Sequence, residues 1–109
     1  MPAVTLSDPI GPLQLRVMNH LWKVQSATVQ DVTDVVNAQY GTNLAYTTFL
    51  TVMRNLAKRK MLDQRKTATK RHAFSVLVDE DTYKAAVMRA MYRDYCNDDP
   101  ARLKKYLPV

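Results

Sequence analysis

Only two glycines and one cysteine occur in 109 residues, and each scarcity removes a class of function. Phosphate-cradling loops of the Walker or dinucleotide type need several closely spaced glycines, because the backbone itself must approach the phosphate. Gly11 and Gly41 stand thirty residues apart and build neither. With Cys96 alone there is no internal disulfide, no cysteine zinc site and no thiolate cluster for sensing copper or cadmium, and a reducing compartment is expected. No apolar run approaches the ~18 residues of a membrane span. The stretch Met1 to Ile10 lacks the basic flank and apolar run of a signal peptide, so a cytoplasmic protein without membrane contact is expected. His20, His72 and Cys96 are far apart in sequence, no serine sits in a nucleophile elbow, and the acids fall in capping or tail positions. Metal, cofactor, small-molecule ligand and enzyme chemistry are all without support in the sequence.

Acids are missing from one segment in particular. Arg54 to His72 holds eight of the sixteen Lys and Arg residues against Asp63 alone. Residues 1–53 carry a net charge of −1, Arg54 to Val78 +7, and Asp79 to Val109 zero. A single-sign patch of that density between neutral flanks calls for a polyanion or anionic surface, with nucleic acid first.

The chain has the size of one compact body, with apolar content for a core but not for a large enzyme cleft. Gly11-Pro12 opens a run with Leu13, Val17, Met18, Leu21 and Trp22 at helical spacing, predicting a first helix over about Pro12 to Lys23. Trp22 lies on that apolar stripe and is expected in the core. Ser26 to Thr28 reads as a break, and Thr28 with Asp31 three residues on opens a second helix carrying Val29, Val32, Val35 and Val36 and ending near Tyr40-Gly41. A third helix should run from about Tyr46 or Thr47 to Arg59. Its Phe49, Leu50, Val52, Met53, Leu56 and Ala57 fall within a sector of roughly 160°. The opposite half holds Thr47, Thr48, Thr51, Arg54, Asn55, Lys58 and Arg59, with neither an apolar residue nor an acid, whereas an ordinary solvated face mixes both signs.

After Lys60 the period becomes two. Leu62, Gln64 and Lys66 alternate, Thr67 to Lys70 form a polar turn, and His72, Phe74, Val76 and Val78 point one way, predicting a two-stranded hairpin with a basic tip. Asp79-Glu80-Asp81 suits the N-terminus of a fourth helix carrying Tyr83, Val87, Met88, Met91, Tyr92 and Tyr95 at three-four spacing. Asp98-Asp99-Pro100 breaks it, and a short helix over about Pro100 to Tyr106 ends the chain's periodic structure.

Helix, helix, helix, hairpin, with the charge on the third helix and the hairpin, is the order of a winged helix-turn-helix: mainly α with a small β-hairpin wing, followed by a C-terminal helix. The expected organisation is a winged-helix domain over residues 1–78 and a short helical dimerisation region over 79–109. A B-form major groove admits one helix, while a flanking hairpin neutralises backbone phosphates.

Ile10-Gly11-Pro12-Leu13, Val17-Met18-Asn19-His20-Leu21-Trp22, Ala27-Thr28-Val29-Gln30-Asp31-Val32, Leu44-Ala45-Tyr46-Thr47-Thr48 and Leu56-Ala57-Lys58-Arg59-Lys60 resemble the penicillinase and methicillin-resistance repressors, the BlaI/MecI type that also includes copper-responsive CopY repressors. The resemblance covers about residues 10 to 83 and implies a dimeric repressor on a palindromic operator. By position it places Thr47, Thr48 and Thr51 at the base-facing start of the recognition helix and Arg54 and Lys58 on its backbone-facing turns. The DNA-binding set expected is these five with Asn55 and, in the wing, Lys66, Lys70, Arg71 and His72. Where the family has glycine after the recognition helix and at the wing tip, this chain has Lys60 and Thr69, so the resemblance implies either a left-handed non-glycine residue at Lys60 or a different turn there. The family's regulatory cleavage position falls near Lys105-Tyr106 on a different residue pair, and the copper branch's Cys-x-Cys pairs are absent. Neither proteolytic nor copper induction is expected.

The stripe of Tyr83, Val87, Met88, Met91, Tyr92 and Tyr95 has three readings: packing on its own winged domain, a substrate-binding groove, or, the favoured one, pairing with the same helix of a second copy. The sequence therefore predicts a sequence-specific repressor acting on double-stranded DNA as a homodimer. The alternative is a winged module that binds an acidic protein, RNA or DNA without sequence readout.

Overall fold

The computed structural model describes residues 9–66, without the Lys66 side chain, and 72–107. The expected wing tip over Thr67 to Lys70, and with it Lys70 and Arg71, lies outside the described residues. The chain divides into two compact units, the larger Ile10–Glu80 and the smaller beginning at Asp81.

The larger unit opens with α1 (Pro12–Val24). Proline at the first helical position costs nothing there, since that amide has no intrahelical partner, and the Gly11 N–H donates instead to Gln14 Oε1 at 3.0 Å. The apolar stripe buries Val17, Met18, Leu21 and Trp22. Trp22 is core, and its indole N–H donates to the Val78 carbonyl at 2.8 Å, so its polar atom is satisfied where it is buried. Gln25 then adopts φ 72 and turns the chain out of the helix.

The expected break at Ser26 to Thr28 is instead a strand, β1 (Ser26–Thr28). α2 (Val29–Tyr40) follows directly, with the Thr28 hydroxyl accepting from the Asp31 N–H at 3.1 Å. Gly41 closes α2 at φ 64, the left-handed region that favours a residue without a β-carbon. α3 (Tyr46–Lys58) carries Phe49, Met53 and Leu56 into the core. It ends in a two-bond C-cap: the Lys60 N–H donates to the Ala57 carbonyl and the Met61 N–H to that of Leu56, both at 3.0 Å. Lys60 itself sits at φ 65, the left-handed one of the two alternatives.

β2 (Leu62–Lys66) and β3 (His72–Val76) pair antiparallel with Leu62 opposite Val76, Gln64 opposite Phe74 and Lys66 opposite His72. Alternation puts Leu62 and Phe74 on the buried side. Val78, expected within the strand, follows its end and serves as the Trp22 acceptor. The sheet is three-stranded in the order β1-β3-β2, with Ala27 opposite Phe74, rather than the isolated hairpin expected. Backbone donors on the outer edge of β3 would otherwise lack partners. β1 supplies them, and the Gln25 carbonyl extends the ladder by accepting from the Val76 N–H at 3.0 Å. The core of this unit gathers Val17, Met18, Leu21, Val29, Val32, Val36, Phe49, Met53, Leu56, Leu62 and Phe74, each essentially without solvent exposure.

The smaller unit is built on α4 (Glu80–Cys96) and α5 (Pro100–Tyr106). Asn97 and Asp98 take positive φ between them, and Asp99 caps α5 by accepting from the Ala101 N–H at 3.0 Å.

Candidate nucleic-acid interface

α3 divides cleanly by exposure. Phe49, Met53 and Leu56 are buried, whereas Thr47, Thr48, Thr51, Arg54, Asn55 and Lys58 are exposed on one face without an acid among them. Arg59, on the same expected face, is only half-buried and lies at the helix end. Three hydroxyls lead this face, and Arg54 and Lys58 follow with Asn55 between them, the cations lying toward the C-terminus, where they also suit the helix dipole. Hydroxyl and carboxamide groups donate and accept at base edges, while Arg and Lys neutralise phosphates.

The position of α3 depends on a residue that periodicity did not single out. Asn37, in the last turn of α2, accepts from the Leu44 N–H at 3.0 Å and from the Thr42 hydroxyl at 2.9 Å, and its amide donates to the Leu44 carbonyl at 2.9 Å. One side chain thus holds both ends of the α2–α3 turn and sets where the first residues of α3 begin. The sequence signal was faint: an asparagine four residues before a glycine C-cap reads as a helix residue, because its partners are defined only when the turn has formed.

Beside α3, β2 carries the single acid of the basic segment. Asp63 is already engaged by Arg65, whose Nε approaches Oδ2 at 3.0 Å, and both side chains are largely in water. Such a pair adds little stability, but it neutralises the carboxylate locally. His72 begins β3, and its Nδ1 lies 3.0 Å from the Gln64 amide nitrogen. Of the expected wing residues, then, the side chain of His72 is placed. The backbone of Lys66 lies opposite it, and Lys70 and Arg71 fall outside the described residues.

The expected stripe of α4 separates into two sides. Tyr83 is 3% exposed and shares a buried side with Ala90, one helix heptad on, while Cys96 is buried at the helix end. Val87 and Tyr92 are half-buried, and Met88, Met91 and Tyr95 form an exposed row, Tyr95 at 70%. A six-residue stripe at three-four spacing spans about half the helix circumference, so one flat contact does not reach all of it. Met91, Tyr95 and Cys96 join Leu103, Tyr106 and Leu107 around an open apolar groove of about 440 Å³ within the smaller unit. Desolvation first, then the negative charges of Asp98 and Asp99 and the nearby Cys96, raise the Tyr92 phenol above its ordinary value.

Three helices, a wing and an acid-free helix face define this chain as a winged-helix protein of the regulatory kind. It belongs to the penicillinase repressor family, whose model matches residues 10–105. That family is one of transcriptional repressors rather than enzymes, in keeping with the non-enzymatic expectation. Among curated proteins it is similar to the transcriptional regulator BlaI of Mycobacterium tuberculosis, strains CDC 1551 / Oshkosh and ATCC 25618 / H37Rv, at 39% identity over 56 residues. That stretch is 50% of this chain and 39% of each relative, so the chain matches well under half of their length. Among solved structures the fold is similar to that of an hsRosR-S4 complex, with a TM-score of 0.62 at 9% identity over 96% of this chain and 90% of the other. Among the described residues no helix is long and apolar enough to cross a membrane.

Proposed function

We propose that this protein is a homodimeric repressor that binds a palindromic promoter operator. Two copies of α3 enter successive major grooves about 34 Å apart and occlude the promoter. The observation that carries this reading is the exposed face of α3, on which Thr47, Thr48, Thr51, Arg54, Asn55 and Lys58 lie with no acid among them; the threonines and Asn55 are assigned to base edges, Arg54 and Lys58 to the backbone. In the sequence, Lys66, Lys70, Arg71 and His72 follow as the remaining members of the expected DNA-binding set.

The second copy is held through the smaller unit. Met88, Met91 and Tyr95 on α4 and the groove floored by Leu103, Tyr106 and Leu107 leave apolar surface in water, and a two-fold axis lets each copy cover the other's. The relatives named as transcriptional regulators support the assignment to DNA.

Selection of bound duplexes from a random pool, with stoichiometry determined on the winners, tests the reading. A dyad-symmetric motif bound by two chains is expected. Strong, salt-sensitive binding without an enriched motif would replace the repressor by an architectural role, and absence of binding would turn attention to protein or RNA partners.

A further inference from the structure

The larger unit contains a second feature on the same side of the sequence pattern as the recognition face. A cleft of about 310 Å³ is lined by Thr28, Val29, Gln30, Tyr46 and His72. It therefore brings together the junction of β1 and α2, the first residue of α3 and the first residue of β3. Neither Thr28 nor Tyr46 was expected in a binding site from the sequence.

Its polar groups share one character. The Thr28 oxygen accepts from the Asp31 N–H, and a hydroxyl that has accepted once keeps its proton to donate. The Tyr46 hydroxyl, on a side chain 37% exposed, has no hydrogen-bond partner among the described residues. The Gln30 amide nitrogen gives one hydrogen to Asp34 Oδ1 at 2.9 Å and retains the other. At His72, Gln64 Nε2 lies 3.0 Å from Nδ1. With the amide donating, the ring accepts at Nδ1 and carries its own proton on Nε2, across the ring from Gln64. O–H and N–H donors thus surround the cleft, and no carboxylate is among the described residues that line it. A lining of donors suits an anion with several lone pairs, which satisfies them together.

We propose that this cleft seats one backbone phosphate of the bound duplex, with Thr28, Tyr46 and His72 as its donors. The proposal rests on the DNA-binding reading of α3 and deepens it. A phosphate held at Tyr46 fixes the duplex against the very start of α3, one residue before Thr47 and Thr48, and so sets the depth at which those threonines meet base edges. Around the His72 ring stand Gln64 from β2, Tyr46 from α3 and Thr28 with Gln30 from the start of α2. Lys66 stands opposite in register, and Asp34 connects only through Gln30.

The test uses the full chain, a labelled 24-base-pair duplex of the selected motif, a scrambled duplex of equal length, and fluorescence anisotropy. Tyr46→Phe removes only the hydroxyl, and loss of a hydrogen bond to an ionised group should weaken binding roughly tenfold on both duplexes. His72→Ala, which removes the ring donor, should weaken binding to a similar degree, again on both duplexes alike. Thermal melts of both variants should match wild type. If both variants bind as wild type does, the phosphate seat is wrong while the repressor reading stands. A loss confined to the selected motif would make these base contacts and equally overturn the seat. Failure of the wild-type chain to bind either duplex would remove the reading on which the proposal depends.

Discussion

Lys60 occupies the left-handed region at φ 65 with a full side chain, where a β-carbon crowds the backbone at a cost of roughly 1–2 kcal/mol. The chain accepts this because the turn after α3 buries Met61 beside Leu56, the hydrophobic contact that accompanies this cap. Lys60→Gly should raise unfolding stability by about 0.5–1 kcal/mol, the relief of strain being partly offset by the greater freedom of glycine in the unfolded chain. Lys60→Ala, which keeps the β-carbon, should not. Urea titrations giving equal midpoints for both variants would show that the backbone is not strained. On the neighbouring face, Arg54→Ala should lower affinity for every duplex and reduce the slope of log K against log salt by about 0.9. Asn55→Ala should instead cost roughly 1–3 kcal/mol on the selected motif only. An unchanged salt slope for the first, or equal losses on cognate and random DNA for the second, would reverse those roles.

Elements come next, and here the α2–α3 turn matters more than its length suggests. Asn37 makes three hydrogen bonds to Thr42 and Leu44. Asn37→Ala leaves those groups unpaired, and a lost partner in a half-buried turn costs about 1–3 kcal/mol. The expected outcome is lower stability together with weakened binding to the selected motif, checked by denaturant unfolding and by anisotropy at a temperature where the variant remains folded. Stability reduced with affinity intact would mean that α3 finds its place without this clamp. The three helices were legible from the sequence because each repeats its apolar residues at three and four, and caps such as Thr28 and Gly41 are chemically explicit. β1 was not legible. Three residues are too short for alternation to register, and Ser26 to Thr28 become a strand only because β3, more than forty residues later, presents an edge to them. The α4 stripe was legible as amphipathic, but Tyr83 lies on its buried side and Tyr95 on its exposed one, a division that spacing alone does not make.

At the scale of the whole molecule the charge asymmetry has a simple consequence. Nearly all the excess cation density belongs to α3 and the wing, so DNA binding should be strongly salt-dependent, whereas association of two chains through apolar groups of the smaller unit should not be. Tyr95→Glu places a charge on the exposed row of α4 at a residue 70% in water, so the fold should persist while the proposed dimer dissociates. Sedimentation at matched concentrations should show the shift to monomer, with unchanged circular dichroism. A variant that remains dimeric would move the interface away from this row.

What the sequence determined by itself was the order of helices and wing and the acid-free polar face of α3. Periodicity and charge are local properties, carried by residues within a few positions of one another. What only the tertiary structure decided was the third strand, the Asn37 clamp, the split of the α4 stripe and the donor-lined cleft of Thr28, Tyr46 and His72. Each of these joins groups separated in sequence, or ranks neighbours by exposure, and so exists only once packing has chosen which surfaces meet.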